Sequence, residues 1–159
     1  MGGEAVEVRL ARDEGEIEEA KQLRLRVFST EQGVSPEADI DGLDPAATHL
    51  VAVRRGSVVG TCRLRFPGGR CKLERMVVEQ SLRQTGIGSE MLVEAEHEAL
   101  RQGASEMVLH AQRQVEGFYA AGGYVAEGEP FLEEGMPHVQ MRKQLVSRDR
   151  RSGGDRRAS

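Results

Sequence analysis

A glycine-containing segment at residues 83–89 (RQTGIGS) follows an apolar, strand-like stretch and precedes a helical pattern. Glycines in such a turn let backbone amides approach a ligand closely, and the helix N-terminus adds N–H donors and the positive end of the helix dipole. The segment therefore predicts an anion site that suits a pyrophosphate. A Gly-x-Gly at a helix start is a weak signal alone, because it also occurs where a helix simply packs against a sheet.

Two common nucleotide-binding motifs do not account for this segment. A P-loop requires a lysine directly after its second glycine, and residues 83–89 contain no lysine. A dinucleotide-binding fingerprint requires a third glycine three residues after Gly88, and Met91 stands there instead. Both nucleotide interpretations therefore fail on residues that the motifs require.

Length and charge place further bounds on the chain. Its 159 residues fit one domain, and its net charge is −4. Residues 147–159 (SRDRRSGGDRRAS) hold five arginines and two aspartates but almost no apolar side chain. We therefore predict one folded domain over residues 1–146 and a disordered Arg-rich tail over residues 147–159. The remaining acidic body argues against a nucleic-acid-binding protein, although the tail alone could contact RNA or an anionic surface.

Membrane, metal and disulfide functions find no support in the sequence. Apolar runs stay well below the roughly 18 residues of a membrane span, and the N-terminus lacks the features of a signal peptide. We therefore expect a cytoplasmic protein without a membrane partner. Cys62 and Cys71 are the only cysteines, and they show no metal-ligand spacing. We expect them to be reduced strand residues, and we expect no metal site.

Hydrophobic periodicity predicts the elements that hold the glycine segment. A strand at residues 6–10 precedes a helix that is capped by Asp13 and ends before Gln32. A meander follows, with strands at residues 49–54, 58–66 and 71–78. A long amphipathic helix from Ile87 to about Gly103 then leads to a strand at residues 106–112, parallel to its predecessor. A short helix (115–121) and two strands (124–126 and 138–144) complete a mixed α/β sheet.

Two motifs together resemble one enzyme superfamily. Residues 83–88 (RQTGIG) resemble the coenzyme A loop of the GNAT superfamily of N-acyltransferases. Residues 112–124 (QRQVEGFYAAGGY) resemble the second signature of that superfamily, whose commonest form has Asn and Ala where Gln112 and Val115 stand. Two motifs in the correct order and spacing are more specific than either motif alone.

A closer resemblance is to the ElaA-like branch of this superfamily. It rests on residues 23–32 (LRLRVFSTEQ), 39–42 (DIDG) and 133–141 (EEGMPHVQM), and it covers the chain from about Leu23 to Arg142. The resemblance implies a single-domain α/β GNAT fold with a mixed, mostly antiparallel central sheet flanked by helices. It also implies acetyl-CoA as co-substrate.

The resemblance further implies which residues bind the coenzyme. The backbone of the 83–89 segment would contact the pyrophosphate, and the pantetheine arm would lie along the strand before it like an added strand. A backbone N–H of Val77 or Val78 would polarise the thioester carbonyl. The implied cofactor-binding residues are Met76, Val77, Val78, Arg83, Gln84, Thr85, Gly86, Ile87, Gly88, Ser89, Gln112 and Tyr119.

Tyr119 and Glu74 are the candidate catalytic residues. Tyr119 resembles the GNAT tyrosine at the coenzyme sulfur, and a phenol with its ordinary pKa of about 10 could share a proton with a departing thiolate. Its alternative is a packed aromatic, the role that we expect for Tyr124. Glu74 lies on the strand before the loop and could accept the proton of the amine, or it could pair with Arg63 or Arg65.

Other side chains give competing or auxiliary hypotheses. His110 and His138 are rival bases, although a lone strand histidine is commonly structural, and His97 is expected on a solvated helix face. An acidic loop over residues 35–44, including Asp39 and Asp41, could steer a cationic substrate together with Glu31. Loop carboxylates are also common as ordinary soluble surface.

With the resemblance, these observations predict an N-acetyltransferase that moves an acetyl group from acetyl-CoA to a primary amine of a small molecule by direct transfer in a ternary complex. Three alternatives stay open: a transferase for a longer acyl chain or a protein amine, a non-catalytic CoA-binding module, and a protein that acts through its Arg-rich tail. An exposed sheet edge near the last strands would suit a homodimer.

Overall fold

A seven-stranded mixed sheet forms the centre of the computed structural model, which describes residues 5–33 and 41–146. The strand order is β1-β2-β3-β4-β5-β7-β6, and every neighbouring pair is antiparallel except the parallel pair of β4 and β5. The predicted α/β fold with a mostly antiparallel sheet is therefore confirmed. The predicted tail, residues 147–159, lies outside the described residues. The strands are β1 (Glu7–Leu10), β2 (Thr48–Arg54), β3 (Ser57–Arg65), β4 (Cys71–Val78), β5 (Glu106–Gln112), β6 (Val125–Glu133) and β7 (Met136–Gln144).

Among the residues that the structure describes, three α-helices flank this sheet: α1 (Glu14–Leu25), α2 (Ile87–Arg101) and α3 (Glu116–Ala121). Asp13 caps α1 as predicted, because its side chain accepts a hydrogen bond of 2.9 Å from the backbone N–H of Glu16. The helical path continues through a π-helical turn, Arg26–Glu31, and ends before Gln32. In the described part of the chain, each helix is too short or too polar to cross a membrane.

Two apolar layers hold the helices to opposite faces of the sheet. On one face α1 and the π-helical turn that follows it pack through Ala20, Leu23 and Val27 against β2, β3 and β4. On the other face α2 contributes a buried stripe that includes Met91 and Ala95. Because strand side chains alternate between faces, β5 buries its odd-numbered residues on the α2 side and presents its even-numbered residues to the opposite side.

The last two strands are longer than the sequence pattern predicts. Strands were expected at residues 124–126 and 138–144, whereas β6 and β7 form a hairpin of nine residues on each side. Gly128 and Pro130 obscure the strand pattern, and the structure accommodates them in a register shift between Glu127 and Phe131. A two-residue turn, Glu134 and Gly135, closes the hairpin with φ of 51° and 76°.

β6 is also an edge strand of the sheet. Val125 and Leu132 on this strand are exposed to 68% and 74%. Such an edge is compatible with the expected homodimer, which stays a prediction.

Candidate functional site

A bulge in β4 opens the sheet next to β5. Strand β4 pairs with β5 through Leu73 opposite Leu109, and the registered pairs end there. Against β3, Glu74 lies opposite Arg63 and Val77 opposite Thr61, so β4 carries an extra residue between these pairs, where Arg75 adopts a φ of 56°. A bulge bends its strand, and β4 and β5 therefore diverge beyond Leu73.

A cleft of about 620 Å³ occupies the opening; we call it the large lobe. Its walls come from the end of β4, the start of α2, the end of β5, and α3, with Val27 and Gln32 from the end of the first helical segment. Ten of the predicted cofactor-binding residues line it: Met76, Val77, Val78, Arg83, Gln84, Gly86, Gly88, Ser89, Gln112 and Tyr119.

The remaining two predicted residues do not line the large lobe. The Ile87 side chain is 5% exposed and packs into the apolar layer beneath α2. The Thr85 hydroxyl donates a hydrogen bond to the Leu82 carbonyl inside the loop. Their side chains therefore shape the loop, and only their backbone could contact a ligand.

The start of α2 has the geometry of an anion site. Gly86 caps the helix in the left-handed region with a φ of 93°, which a glycine adopts without strain. The first intrahelical bond runs from the Glu90 N–H to the Gly86 carbonyl, so the N–H groups of Gly88 and Ser89 have no acceptor within the helix. Both residues line the large lobe. The donors thus fit an anionic group such as a pyrophosphate.

Gly88 has a packing role as well. A Cβ atom at this position would lie 3.3 Å from Cζ of Phe118, so the glycine permits close contact between α2 and α3. Both interpretations of the Gly-x-Gly motif therefore apply to Gly88, whose N–H faces the large lobe while its lack of a side chain permits the helix contact.

Arg83 is held at the wall of the large lobe. Its Nε donates a hydrogen bond of 2.9 Å to the Val78 carbonyl, and its guanidinium lies 2.7 Å from a carboxylate oxygen of Glu31. Glu31, which was expected to help steer a cationic substrate, is thus engaged with an arginine of the coenzyme loop. This pair joins the end of the first helical segment to the loop before α2.

A second cavity of about 190 Å³, the small lobe, lies against the large lobe. The two lobes share a boundary, which we call the waist, formed by Gln32, Met76, Gln112, Val115 and Tyr119. At the waist the Gln112 amide nitrogen lies 3.0 Å from the Gln32 amide oxygen. Sequence reasoning did not single out Gln32, although it ends the ElaA-like segment at residues 23–32 and the signal was therefore present.

Tyr119 projects from α3 to the waist and is 8% exposed. Its ring makes edge contacts with Phe118 and Tyr124, at centroid distances of 4.9 and 6.0 Å. Burial raises the pKa of the phenol, so the hydroxyl stays protonated around neutral pH. Among the described residues the Tyr119 hydroxyl has no hydrogen-bond partner, whereas Tyr124 donates one of 2.8 Å to Glu96. Tyr124 thus has the structural role expected of it.

The carboxylate of Glu74 is surrounded by cationic side chains, so it is not available as an unpaired group in the small lobe. Its carboxylate accepts hydrogen bonds of 2.7–2.9 Å from Arg63 and Arg65, and Lys72 lies 3.6 Å away. Burial alone would raise the pKa of Glu74, but the hydrogen bonds from Arg65 and Arg63 outweigh it and lower the pKa to about 2. A carboxylate with such a pKa is a weak base, so these contacts favour the ion-pair alternative over the general-base hypothesis.

Two residues of the predicted acidic loop belong to the same ionic network. Arg63, which is 1% exposed, pairs with Asp41 at 2.8 Å and with Asp44 at 3.1 Å, besides Glu74. Asp44 also accepts a bidentate interaction from Arg24. The two carboxylates are therefore largely neutralised, which argues against a steering role for them. Asp39 and most of the loop lie outside the described residues.

The two rival bases both line the small lobe, but they contact different partners. His110 lies on β5, and its Nδ1 is 2.9 Å from Oε1 of Glu133. His138 on β7 is 6% exposed, and its Nδ1 lies 2.8 Å from the Met136 carbonyl. His97 is half exposed on α2, as expected. Glu133 was not singled out from the sequence, although it begins the ElaA-like segment at residues 133–141, because only the unpredicted length of β6 brings it beside His110.

Comparisons with known proteins agree with this geometry. Residues 13–145 match the family described as an acetyltransferase (GNAT) domain. YjcF of Bacillus subtilis, described as an uncharacterized N-acetyltransferase, is 38% identical over 135 residues, which are 84% of this chain and 96% of YjcF. Protein ElaA of Escherichia coli is 26% identical over 131 residues, covering 79% of this chain and 85% of ElaA.

A solved structure supports the same assignment. The acyl-CoA N-acyltransferase from Pseudomonas aeruginosa is 30% identical and superimposes with a TM-score of 0.78, covering 89% of this chain and 99% of that one. The family match spans most of the sequence, and it includes both motifs that form the large lobe and the waist. The chain therefore belongs to the GNAT acetyltransferase family.

Proposed function

We propose that this protein is an N-acetyltransferase that moves an acetyl group from acetyl-CoA to a primary amine of a small molecule, by direct transfer in a ternary complex. One observation carries the proposal: two lobes meet at a waist that contains Tyr119, and the larger lobe reaches the N–H groups at the start of α2 that have no acceptor within the helix. The large lobe would hold the donor, and the small lobe would hold the acceptor.

The donor fits the large lobe by size and by chemistry. A volume of about 620 Å³ lies in the usual range of small-molecule sites. The free N–H groups at the start of α2 would bind the pyrophosphate. The end of β4 lacks a registered partner strand on its β5 side, so its backbone at Met76, Val77 and Val78 could pair with the amide groups of the pantetheine arm. The Pseudomonas relative is described as an acyl-CoA enzyme.

The protein groups at the waist would assist the transfer. The bound thioester supplies an activated acyl group and a thiolate leaving group. The backbone N–H of Val77 or Val78 would polarise the carbonyl oxygen. The Tyr119 hydroxyl, kept protonated by burial, would donate a hydrogen bond to the departing sulfur. The ordinary pKa of a tyrosine already exceeds that of a thiol, and burial raises the pKa of Tyr119 further. We therefore assign Tyr119 hydrogen-bond stabilisation of the thiolate and not full proton transfer.

The arrangement of the lobes favours direct transfer. An amine in the small lobe could reach the waist while the donor stays in the large lobe, so both substrates could be bound together. The small lobe, about 190 Å³, suits a small amine or the end of a longer one.

The release of CoA, followed with a thiol reagent, tests this proposal. We expect release from acetyl-CoA with at least one small primary amine from a panel of aromatic amines, polyamines and aminoglycosides. Faster release from octanoyl-CoA would instead indicate a longer acyl chain, and release only with lysine-containing peptides would indicate a protein amine. Tight acetyl-CoA binding without release from any donor would contradict the enzymatic proposal and favour a non-catalytic CoA-binding module.

A further inference from the structure

The small lobe contains a histidine–carboxylate pair that the coenzyme motifs do not explain. Leu109 and Ala111 on β5 are buried in the apolar layer on the α2 side, so His110 between them projects from the opposite face of the sheet. Its side chain is about a quarter exposed, and its Nδ1 lies 2.9 Å from Oε1 of Glu133. The Phe131 ring lies edge-on to the imidazole, at a centroid distance of 5.0 Å.

This contact fixes the tautomer of a neutral His110. An ionised carboxylate can only accept hydrogen bonds, so Nδ1 carries the proton and donates it to Glu133. The lone pair is then on Nε2, the nitrogen that can accept a further proton. A carboxylate that orients an imidazole in this manner also stabilises the imidazolium, which is the role of the third member in catalytic triads.

Two other candidate proton acceptors of the small lobe, Glu74 and His138, are less suited to this role. Glu74 is surrounded by Arg63, Arg65 and Lys72, and its pKa is lowered to about 2. His138 is 6% exposed, which leaves little of its ring accessible to a substrate. His110 combines access to the small lobe with an orienting partner.

We propose that His110 is the proton acceptor for the incoming amine and that Glu133 is its positioning residue; this inference rests on the proposed acetyl transfer. Nε2 takes a proton from the ammonium group, which frees the nitrogen lone pair. The N–C bond then forms as the C–S bond breaks, and the second amine proton goes to the leaving sulfur to give the CoA thiol. The imidazolium, stabilised by Glu133, returns its proton to solvent.

The tautomer is the first test, and it requires no acceptor. Long-range proton–nitrogen NMR of the full-length protein at pH 8, with His110 assigned by comparison with His110→Gln, should show the proton on Nδ1 and a free Nε2. Glu133→Gln should shift His110 towards the other tautomer or a mixture, because an amide can also donate. A proton on Nε2 of His110 in the wild-type protein would overturn the proposal.

Kinetics with acetyl-CoA, and with benzylamine and spermidine as probe amines, provide the second test. We expect His110→Gln to lower the rate of CoA release by about 100-fold, the lower end of the usual range for acid–base groups. Glu133→Gln, which changes only the positioning residue, should lower the rate by a smaller factor of about 10. The Kd of acetyl-CoA should not change, because neither residue lines the large lobe. His97→Gln on α2 and Glu129→Gln on β6 are matched controls outside both lobes, and they should retain the wild-type rate.

The outcomes separate this inference from the proposed function. A His110→Gln variant that folds, binds acetyl-CoA and keeps its rate within about 3-fold of wild type contradicts the role of His110. A wild-type protein that does not bind acetyl-CoA contradicts the proposed function itself. In that case the NMR measurement of the His110 tautomer still tests whether Glu133 orients His110.

Discussion

At the scale of single residues, Tyr119 shows how the environment changes a role inferred from residue type. The ordinary pKa of a tyrosine suggests a shared proton with a thiolate, but Tyr119 is buried between Phe118 and Tyr124 and its pKa is raised. Sequence reasoning could identify the residue from its motif. It could not identify the burial, which depends on how α3 packs against α2 and the sheet.

Replacing Tyr119 by Phe tests the assigned role. The variant loses the hydrogen bond to the departing sulfur but keeps the ring, so we expect CoA release to fall by about 100-fold, the typical loss for one such donor. The Kd of acetyl-CoA should be unchanged. Tyr124→Phe is the matched control: it loses its bond to Glu96 and about 1 kcal/mol of stability, but it should keep the rate. If Tyr119→Phe released CoA at the wild-type rate, the hydroxyl would have no part in the transfer and Tyr119 would have only a packing role.

The ionic network around Arg63 gives a prediction about stability. Glu74→Gln leaves Arg63, Arg65 and Lys72 without one of their carboxylates, and removal of one partner from a buried pair typically costs about 3–5 kcal/mol. Chemical unfolding at pH 7 should therefore show a large loss of stability relative to wild type.

The same variant should show a defined pH dependence. Because the folded protein lowers the pKa of Glu74 from 4.5 to about 2, its contribution is present above pH 4.5 and is lost as the pH falls towards 2. The difference in unfolding free energy between wild type and Glu74→Gln should therefore shrink over this window. A difference that stays constant from pH 7 to the acid limit would show that Glu74 does not stabilise the fold as an ionised group.

At the scale of elements, the sequence predicted those strand and helix bounds that depend on the local residue pattern. The bounds of β4 and β5 and the start of α2 follow from alternation, turn residues and amphipathic spacing. The bulge at Arg75 could not be predicted, because a positive φ at an arginine has no local signal and arises from the pairing of β4 with β3. The length of β6 was also missed, and with it the contact between Glu133 and His110.

Two glycines at opposite ends of α2 allow a matched test of the anion site. Gly86 and Gly103 have φ of 93° and 89°, and a Cβ at either position would have no neighbour within 4 Å. Replacing either by Ala should cost about 1–2 kcal/mol of stability from backbone strain alone. Only Gly86→Ala should also weaken acetyl-CoA binding, by about 10-fold, because it shifts the N–H donors of the loop. Equal binding by the two variants would contradict the proposed pyrophosphate site.

At the scale of the whole molecule, the cleft depends on contacts between distant parts of the chain. The Glu31–Arg83 ion pair joins the first helical segment to the coenzyme loop, and the Gln32–Gln112 hydrogen bond joins it to β5. The motifs in the sequence predicted most of the residues that line the large lobe, but the motifs could not predict these contacts. The small lobe was not predicted either, because its walls come from β4, β5 and the β6–β7 hairpin together.

Truncation after Val146 tests the predicted domain boundary. Residues 147–159 carry five arginines and almost no apolar side chain, so their removal should change neither the thermal unfolding temperature nor acetyl-CoA binding by a measurable amount. A destabilised or inactive truncated protein would show that the tail contributes to the fold or to the site.

The central claim is that the large lobe binds acetyl-CoA, and thermal unfolding of the full-length protein with and without acetyl-CoA tests it most directly. A ligand present at about 100 times its Kd stabilises the folded state by roughly 2.7 kcal/mol, which gives a visible rise in the unfolding temperature. We expect this rise with acetyl-CoA and none with ATP or NAD at the same concentration. An unchanged unfolding temperature with acetyl-CoA, or an equal rise with all three ligands, would contradict the claim.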